Sequence, residues 1–183
     1  MEAFNGDEYL EKEFIHLIDK FHIQTICETG SYLGQTTKRL SEICRNVVTI
    51  EIREDFYVQA KNKLIGCHNV EMHLGDAPKV LDEILPNILQ PLMIFLDSHW
   101  GYPTPLKGEF EAIAKHGRPA VICIHDMKNP DDPTMKYDTY DDQEYTLEAI
   151  KPYIELVYGK NYKYYFNKEA TGARVGALFI TAE

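Results

Sequence analysis

The chain has 183 residues, 44% of them hydrophobic and 26% charged, a length and balance that fit one folded domain and exclude a disordered chain. Its formal net charge is -10, with 19 basic residues scattered among 29 acidic ones. That disfavours nucleic acid and anionic membrane surfaces as partners and leaves a small molecule as the expected one. No apolar run reaches the roughly 20 residues of a membrane span, and the acidic start "MEAFNGDEYLEKEF" does not read as a secretory signal. Cys27, Cys44, Cys67 and Cys123 show no CxxC or zinc-ligand spacing, which predicts reduced thiols and a cytoplasmic location.

Residues 7–21 place Leu10, Phe14, Leu17, Ile18 and Phe21 at helical spacing. "IQTICE" reads as a first strand and "GQTTKRLSEIC" as a helix. "NVVTIEI" is a second strand, followed by a helix from Asp55 to Ile65. "NVEMHLG" is a third strand, and "APKVLDEILPNIL" a helix interrupted at Pro86. "PLMIFLD" is nearly all apolar, as expected of a strand covered on both faces. Then come the helix "PLKGEFEAIAKH", the fifth strand "AVICIHD", an acidic loop over 129–145, and the helix "EYTLEAIKPYIELVY". "YKYYFN" and "VGALFIT" close the chain as a hairpin around "KEATGAR". Five β-α units and a closing hairpin predict one doubly wound α/β domain over 1–183, with helices on both faces of the sheet.

Ligands of such a sheet bind beyond the carboxyl ends of its strands. The first strand runs into "ETGSYLGQTT", in which Gly30 and Gly34 let backbone approach a ligand closely. The dinucleotide fingerprint needs G-x-G-x-x-G, and Tyr32 stands where its second glycine belongs, so a pyrophosphate would be crowded. Glu51 ends the second strand about 20 residues on, placed to accept two ribose hydroxyls. Asp76 ends the third, where it can receive an adenine amine or, alternatively, cap the helix beginning at Pro78. Together they point to an adenosine carrying a non-phosphate group.

These stretches, with "IFLDSHW" and the closing hairpin, resemble the class I S-adenosylmethionine-dependent methyltransferases over nearly the whole chain. They are most similar to the small catechol- and caffeoyl-CoA-type O-methyltransferases, with a further likeness to the macrocin type. The resemblance implies a Rossmann-like sheet of seven strands, the last antiparallel and inserted between its neighbours. It implies that Glu28, Gly30, Ser31, Tyr32, Gly34 and Thr36 surround the methionine part of S-adenosylmethionine. Glu51 would hold the ribose, while Asp76, Ala77 and Asp97 would complete the cofactor site.

The metal-dependent members place a magnesium ion between acids that follow the fourth and fifth strands, which maps a divalent metal onto Asp97 and Asp126. The family pair falls either on Asp126 and Met127, which loses a ligand, or on His125 and Asp126, a mixed set that suits manganese, iron or zinc better than magnesium. Asp97 and Asp126 also have a plain reading, as strand-end carboxylates satisfied by backbone N–H groups. The family's catalytic lysine is absent from "DSHWG" unless Lys107 or Lys128 reaches in. His99, with Asp97, is therefore the candidate catalytic pair, and stacking beside the adenine is the alternative for His99. The loop 129–145, with Tyr137, Tyr140, Tyr145, Asp138, Asp141 and Asp142, reads either as a lid for a polar or cationic acceptor or as a solvated, mobile surface loop. A homodimer through the N-terminal helix or "YKYYF" is weakly indicated. Two other functions stay open: a binding module that lost its chemistry, and an NAD-dependent oxidoreductase.

Overall fold

In the computed structural model, which describes residues 2–98, 104–117, 119–140 and 143–182, the first helix, α1 (Glu8–Phe21), is opened by Asp7. Its buried carboxylate accepts from the Tyr9 and Leu10 amides at 2.9 and 3.2 Å, two donors a helix cannot satisfy internally. His22 closes the helix in the left-handed conformation. The chain then alternates β1 (Thr25–Thr29), α2 (Gln35–Ile43), β2 (Asn46–Glu51), α3 (Glu54–Lys63), β3 (Val70–Leu74), α4 (Ala77–Ile84), β4 (Leu92–Leu96), α5 (Leu106–His116) and β5 (Val121–Ile124). After α4, Pro86 sits in a single 3-10 turn, Leu85–Asn87, as its missing N–H requires. A two-strand ribbon, β6 (Thr139–Tyr140) and β7 (Gln143–Glu144), precedes α6 (Leu147–Tyr158), β8 (Tyr162–Phe166) and β9 (Leu178–Ala182).

The main sheet runs β3-β2-β1-β4-β5-β9-β8. β1 to β5 are parallel, and β9 is antiparallel to both neighbours, between β5 and β8. Every residue of β1 and β4 is buried, which explains the unbroken apolar character of β4; β1 carries Thr25, Glu28 and Thr29 among its buried residues. One core lies between the sheet and α4, α5 and α6, around Leu81, Phe110, Ile154 and Tyr158. The other is built from α1 and α2, where Phe14 meets Phe4 and Phe95 edge-on at 5.1 and 5.0 Å. Burying a ring of that size contributes roughly 3 kcal/mol.

The segment 129–145, which reads from sequence as a lid or as a solvated, mobile surface loop, is anchored in the fold at several points: Asn129, Met135 and Tyr145 are buried, and the Asn129 amide donates to the Asn167 carbonyl at 2.8 Å. Asp141 and Asp142 lie outside the described residues. The closing hairpin is looser than the sequence predicts. Pairing between β8 and β9 spans only Phe166↔Leu178 to Tyr162↔Ala182. Val175 is instead bridged to Lys136, with Lys136 N donating to Arg174 O and Gly176 N to Lys136 O, both at 2.9 Å. Backbone groups of one connection thus satisfy those of another, which burial demands.

Candidate active site

The order of strands reverses between β1 and β4, so the helices that follow them diverge and leave a crevice at their carboxyl ends. The ladder continues one step past each strand there. Gly30 N donates to Ile50 O at 2.9 Å, Gly75 N to Glu51 O at 2.9 Å, Asp97 N to Thr29 O at 3.1 Å and His125 N to Leu96 O at 3.1 Å. The ends of five strands therefore lie side by side under a cavity of about 920 Å³.

Gly30 forms the floor of this cavity. Its φ is +86°, and a Cβ there would lie 2.5 Å from the Asp97 carbonyl oxygen, so neither conformation nor space admits a side chain. Gly30→Ala is expected to cost about 3 kcal/mol of stability, read as a lowered urea midpoint with an unchanged slope. Tyr32 follows in the left-handed region at φ 47°, unusual for a bulky residue and a mark of a constrained loop. Its ring meets Phe56 edge-on at 4.5 Å, and the Arg53 guanidinium covers Phe56 from 4.0 Å. These side chains make one wall of the cavity. Gly34 opens α2 at φ 75° against Ala60.

Glu51 is only 5% exposed. Its two oxygens accept from Tyr32 N at 2.8 Å and Arg53 N at 2.9 Å, which aims the carboxylate into the crevice. Asp76 lines the same cavity with Ala77. It does not cap α4 through its side chain and pairs with Lys79 at 3.1 Å. Of the residues assigned to the cofactor, Gly30, Tyr32, Glu51, Asp76, Ala77 and Asp97 line the cavity, whereas Glu28, Ser31, Gly34 and Thr36 do not. Glu28, 1% exposed, is occupied by the Thr37 and Thr49 hydroxyls at 2.5 and 2.7 Å. Burial pushes its carboxyl up to about 7 despite those two hydrogen bonds. Thr36 accepts the Phe4 amide at 3.0 Å.

At the other end, Asp97, His125 and Asp126 present ligand atoms that all lie within 4.8 Å of one another. His125, 3% exposed, sets its Nδ1 3.0 Å from Asp97 and 3.3 Å from Asp126, contacts close enough for ion pairing but off hydrogen-bond geometry. Burial opposes charge on that ring, yet the two carboxylates outweigh it and hold His125 well above its ordinary range. Burial likewise raises Asp97; His125 pulls it back, and Asp126 and Asp138 push it further up. Asp126 adopts φ 59°, so a strained backbone turn aims this cluster. Among the described residues, Asp97 thus pairs with a side chain and with no backbone amide. Lys107 and Lys128 do not reach in, being engaged by Glu111 at 3.7 Å and Glu144 at 2.5 Å. His99 lies outside the described residues.

The sequence reading missed Glu109. It is 0% exposed on α5 and accepts the Ser98 hydroxyl at 2.7 Å beside Asp97, while its second oxygen makes no hydrogen bond of good geometry among the described residues. Burial raises it to about 7, with the Ser98 and Thr29 hydroxyls opposing. Its signal was present: it falls on the apolar face of its helix with Leu106, Phe110 and Ile113. Asn5 was missed as well, because nothing local in "AFNG" places it in the cavity wall.

The strand order, the antiparallel β9 and the glycine turn at the switch point define a Rossmann-like methyltransferase fold, that of the class I S-adenosylmethionine-dependent enzymes. Solved structures agree. An O-methyltransferase from Bacillus cereus in complex with S-adenosylhomocysteine superposes with a TM-score of 0.70 at 20% identity, over 96% of this chain and 81% of that one. TomG from Streptomyces achromogenes, an O-methyltransferase involved in tomaymycin synthesis and solved with S-adenosylmethionine, gives 0.66 at 20% identity, over 94% and 79%. In sequence, the model of the ribosomal RNA adenine dimethylase family matches residues 9–86. A protein-L-isoaspartate O-methyltransferase 1 from a Polaromonas species is 34% identical over 83 residues, 39% of this chain and 35% of that protein. The chain therefore aligns with about a third of that relative. The family match spans α1 to α4, the part of the chain carrying Gly30, Glu51 and Asp76.

Proposed function

We propose that the chain is an S-adenosylmethionine-dependent methyltransferase that transfers its methyl group to an oxygen of a small molecule. The observation carrying this reading is that Gly30, Tyr32, Glu51 and Asp76 converge on one cavity that also reaches Asp97 and Asp126. Backbone at Gly30 admits the methionine part, Glu51 offers its remaining lone pairs to the ribose hydroxyls, and Asp76 with the Phe56 wall takes the adenine. The O-methyltransferase names of the solved relatives support oxygen as the acceptor atom. The net charge of -10 argues against an RNA acceptor.

Methyl transfer from sulfonium to oxygen is a displacement that needs in-line approach within about 3–3.5 Å. The sulfonium supplies the driving force, so the protein's task is to align the groups and remove one proton. His99, two residues beyond Asp97, is assigned that proton. His125 is unsuited to it, since its flanking carboxylates keep the ring charged.

Asp97, His125 and Asp126 fit a divalent cation as a mixed nitrogen and oxygen set, with His125 Nδ1 facing both carboxylates. Such an ion, when bound, orients the acceptor oxygens and lowers the pKa of the hydroxyl to be methylated. Binding would displace the His125 proton, because the imidazole coordinates only when neutral. Manganese at a hundred times its Kd is expected to stabilise the fold by about 2.7 kcal/mol, and Asp126→Asn to remove the effect. A melting temperature that no divalent ion moves, at millimolar concentration, would end the metal reading.

Isothermal titration with S-adenosylhomocysteine tests the cofactor. No heat at millimolar ligand sinks the proposal. A second reading, a cofactor-binding module without turnover, is favoured by Lys107 and Lys128 both being engaged away from the site. It predicts cofactor affinity with no methyl transfer to a broad panel of hydroxylated acceptors, whether magnesium or manganese is supplied. An NAD-dependent reading needs bare backbone where Tyr32 stands against Phe56.

A further inference from the structure

The N-terminal segment Ala3–Asp7 crosses from the methionine-side loop to the β8–β9 connection, and each of its anchors is specific. Phe4 is 3% exposed, wedged against Phe14 and Phe95, and its amide donates to Thr36 Oγ1 at 3.0 Å. On the other side, Ala173 N donates to Asn5 O at 3.0 Å and Thr171 Oγ1 to Gly6 O at 3.1 Å. Thr171 N donates to the Asp7 carboxylate at 3.1 Å. Gly172 is what permits the approach: a Cβ there would stand 2.2 Å from Asn5 O and 2.5 Å from the Gly6 carbonyl carbon. Phe4 and Asn5 both adopt left-handed φ, 51° and 55°, a conformation Asn tolerates better than most residues.

The outcome is that Asn5 lines the cavity. Its side-chain amide has no hydrogen-bond partner among the described residues, so both its donor and its acceptor are available. The Phe4 bond to Thr36, at the start of α2, places it beside the Gly30–Gly34 loop and away from the Arg53 and Lys79 end. An amide that both donates and accepts complements a group carrying ammonium and carboxylate together. We infer that Asn5 binds the amino-acid tail of the cofactor and that Gly172 is the positioning residue that holds it there. The inference rests on the cofactor reading above and deepens it.

Two probes separate the tail from the nucleoside: S-adenosylhomocysteine, which carries it, and 5′-methylthioadenosine, which lacks it. Asn5→Gly removes the side chain while favouring the observed backbone. It is expected to weaken S-adenosylhomocysteine by at least about tenfold in isothermal titration, the loss of a hydrogen bond to a charged group, and to leave 5′-methylthioadenosine within about twofold. Gly172→Ala, which must displace Asn5, is expected to reproduce that selectivity with the Asn5 side chain itself intact. Equal loss of both ligands in Asn5→Gly, or no loss of either, overturns the inference. Should the wild-type chain bind neither probe, the cofactor reading itself fails and takes this one with it; wild-type binding with an indifferent Asn5→Gly removes this one alone.

Discussion

Replacing Glu51 by alanine is expected to weaken S-adenosylhomocysteine binding by a hundredfold or more. The carboxylate is fixed before any ligand arrives, because Tyr32 N and Arg53 N hold one oxygen each at 2.8 and 2.9 Å. A pre-set acceptor loses little entropy on binding, and its remaining lone pairs suit two adjacent hydroxyls. Each charge-assisted hydrogen bond is worth roughly 1.5–3 kcal/mol, so losing two corresponds to a factor of at least about 100. Alanine also strips two partly buried amides of their acceptor, which loosens the Tyr32 turn and adds to the loss. Glu51→Gln keeps one acceptor oxygen and is expected to lose about tenfold. Calorimetric Kd values for the three proteins, with circular dichroism to confirm folding, decide the matter. An alanine variant within threefold of wild type would remove Glu51 from the site.

The second large effect concerns stability. Glu28 and Glu109 are fully buried carboxylic acids, each held near 7 from an ordinary 4.5 chiefly by desolvation. The folded chain therefore keeps two protons through a range in which the unfolded chain has released them. Stability contributed by these groups is complete below about 4.5 and is lost as pH rises through about 7. At 1.36 kcal/mol per pKa unit, each accounts for about 3 kcal/mol at most. Glu109→Gln retains the acceptor for Ser98 and cannot ionise. It is expected to match wild type near pH 4.5 and to exceed it at pH 8 by up to about 3 kcal/mol in urea unfolding. Half-buried carboxylates held low by partners, such as Asp82 and Asp132, oppose this trend in both proteins, so the difference between the two curves is the quantity to read. Parallel curves would refute the assignment. Two buried acids that destabilise the fold at neutral pH stand under a cavity floor, where departures from optimal stability are expected.

Much of this was written locally. The alternation of apolar runs with helical periodicity foretold α1 to α6 and the seven strands of the main sheet. Asp7, Gly34 and Pro86 marked helix boundaries for reasons that act over three or four residues. The glycine turn and Glu51, about 20 residues apart, were legible because a β-α unit fixes how far apart neighbouring strand ends fall. Glu109 could have been found by asking why an acid shares a face with Leu106, Phe110 and Ile113.

Other features had no local signature. The segment after β5 reads as a polar loop or lid from its Asp, Tyr and Pro content, but Met135 and Asn129 are buried where it meets the β8–β9 connection, 38 residues on at the Asn129–Asn167 bond. Asn5 and Gly172 are separated by most of the chain, and they meet through the packing of Phe4 against Phe14 and Phe95 and the hydrogen bonds of Thr171 and Ala173 to residues 5–7. The likeness left either His125 or Met127 as the neighbour of Asp126, and only the fold shows that His125 turns toward Asp97 while Met127 is buried in the core. The sequence by itself determined the order of elements and which residues stand at the strand ends, Gly30, Glu51 and Asp76 among them, since period and spacing are properties of a local chain. Which side chains face one another across the crevice was decided only by tertiary structure, because that depends on long-range packing that no window of residues contains.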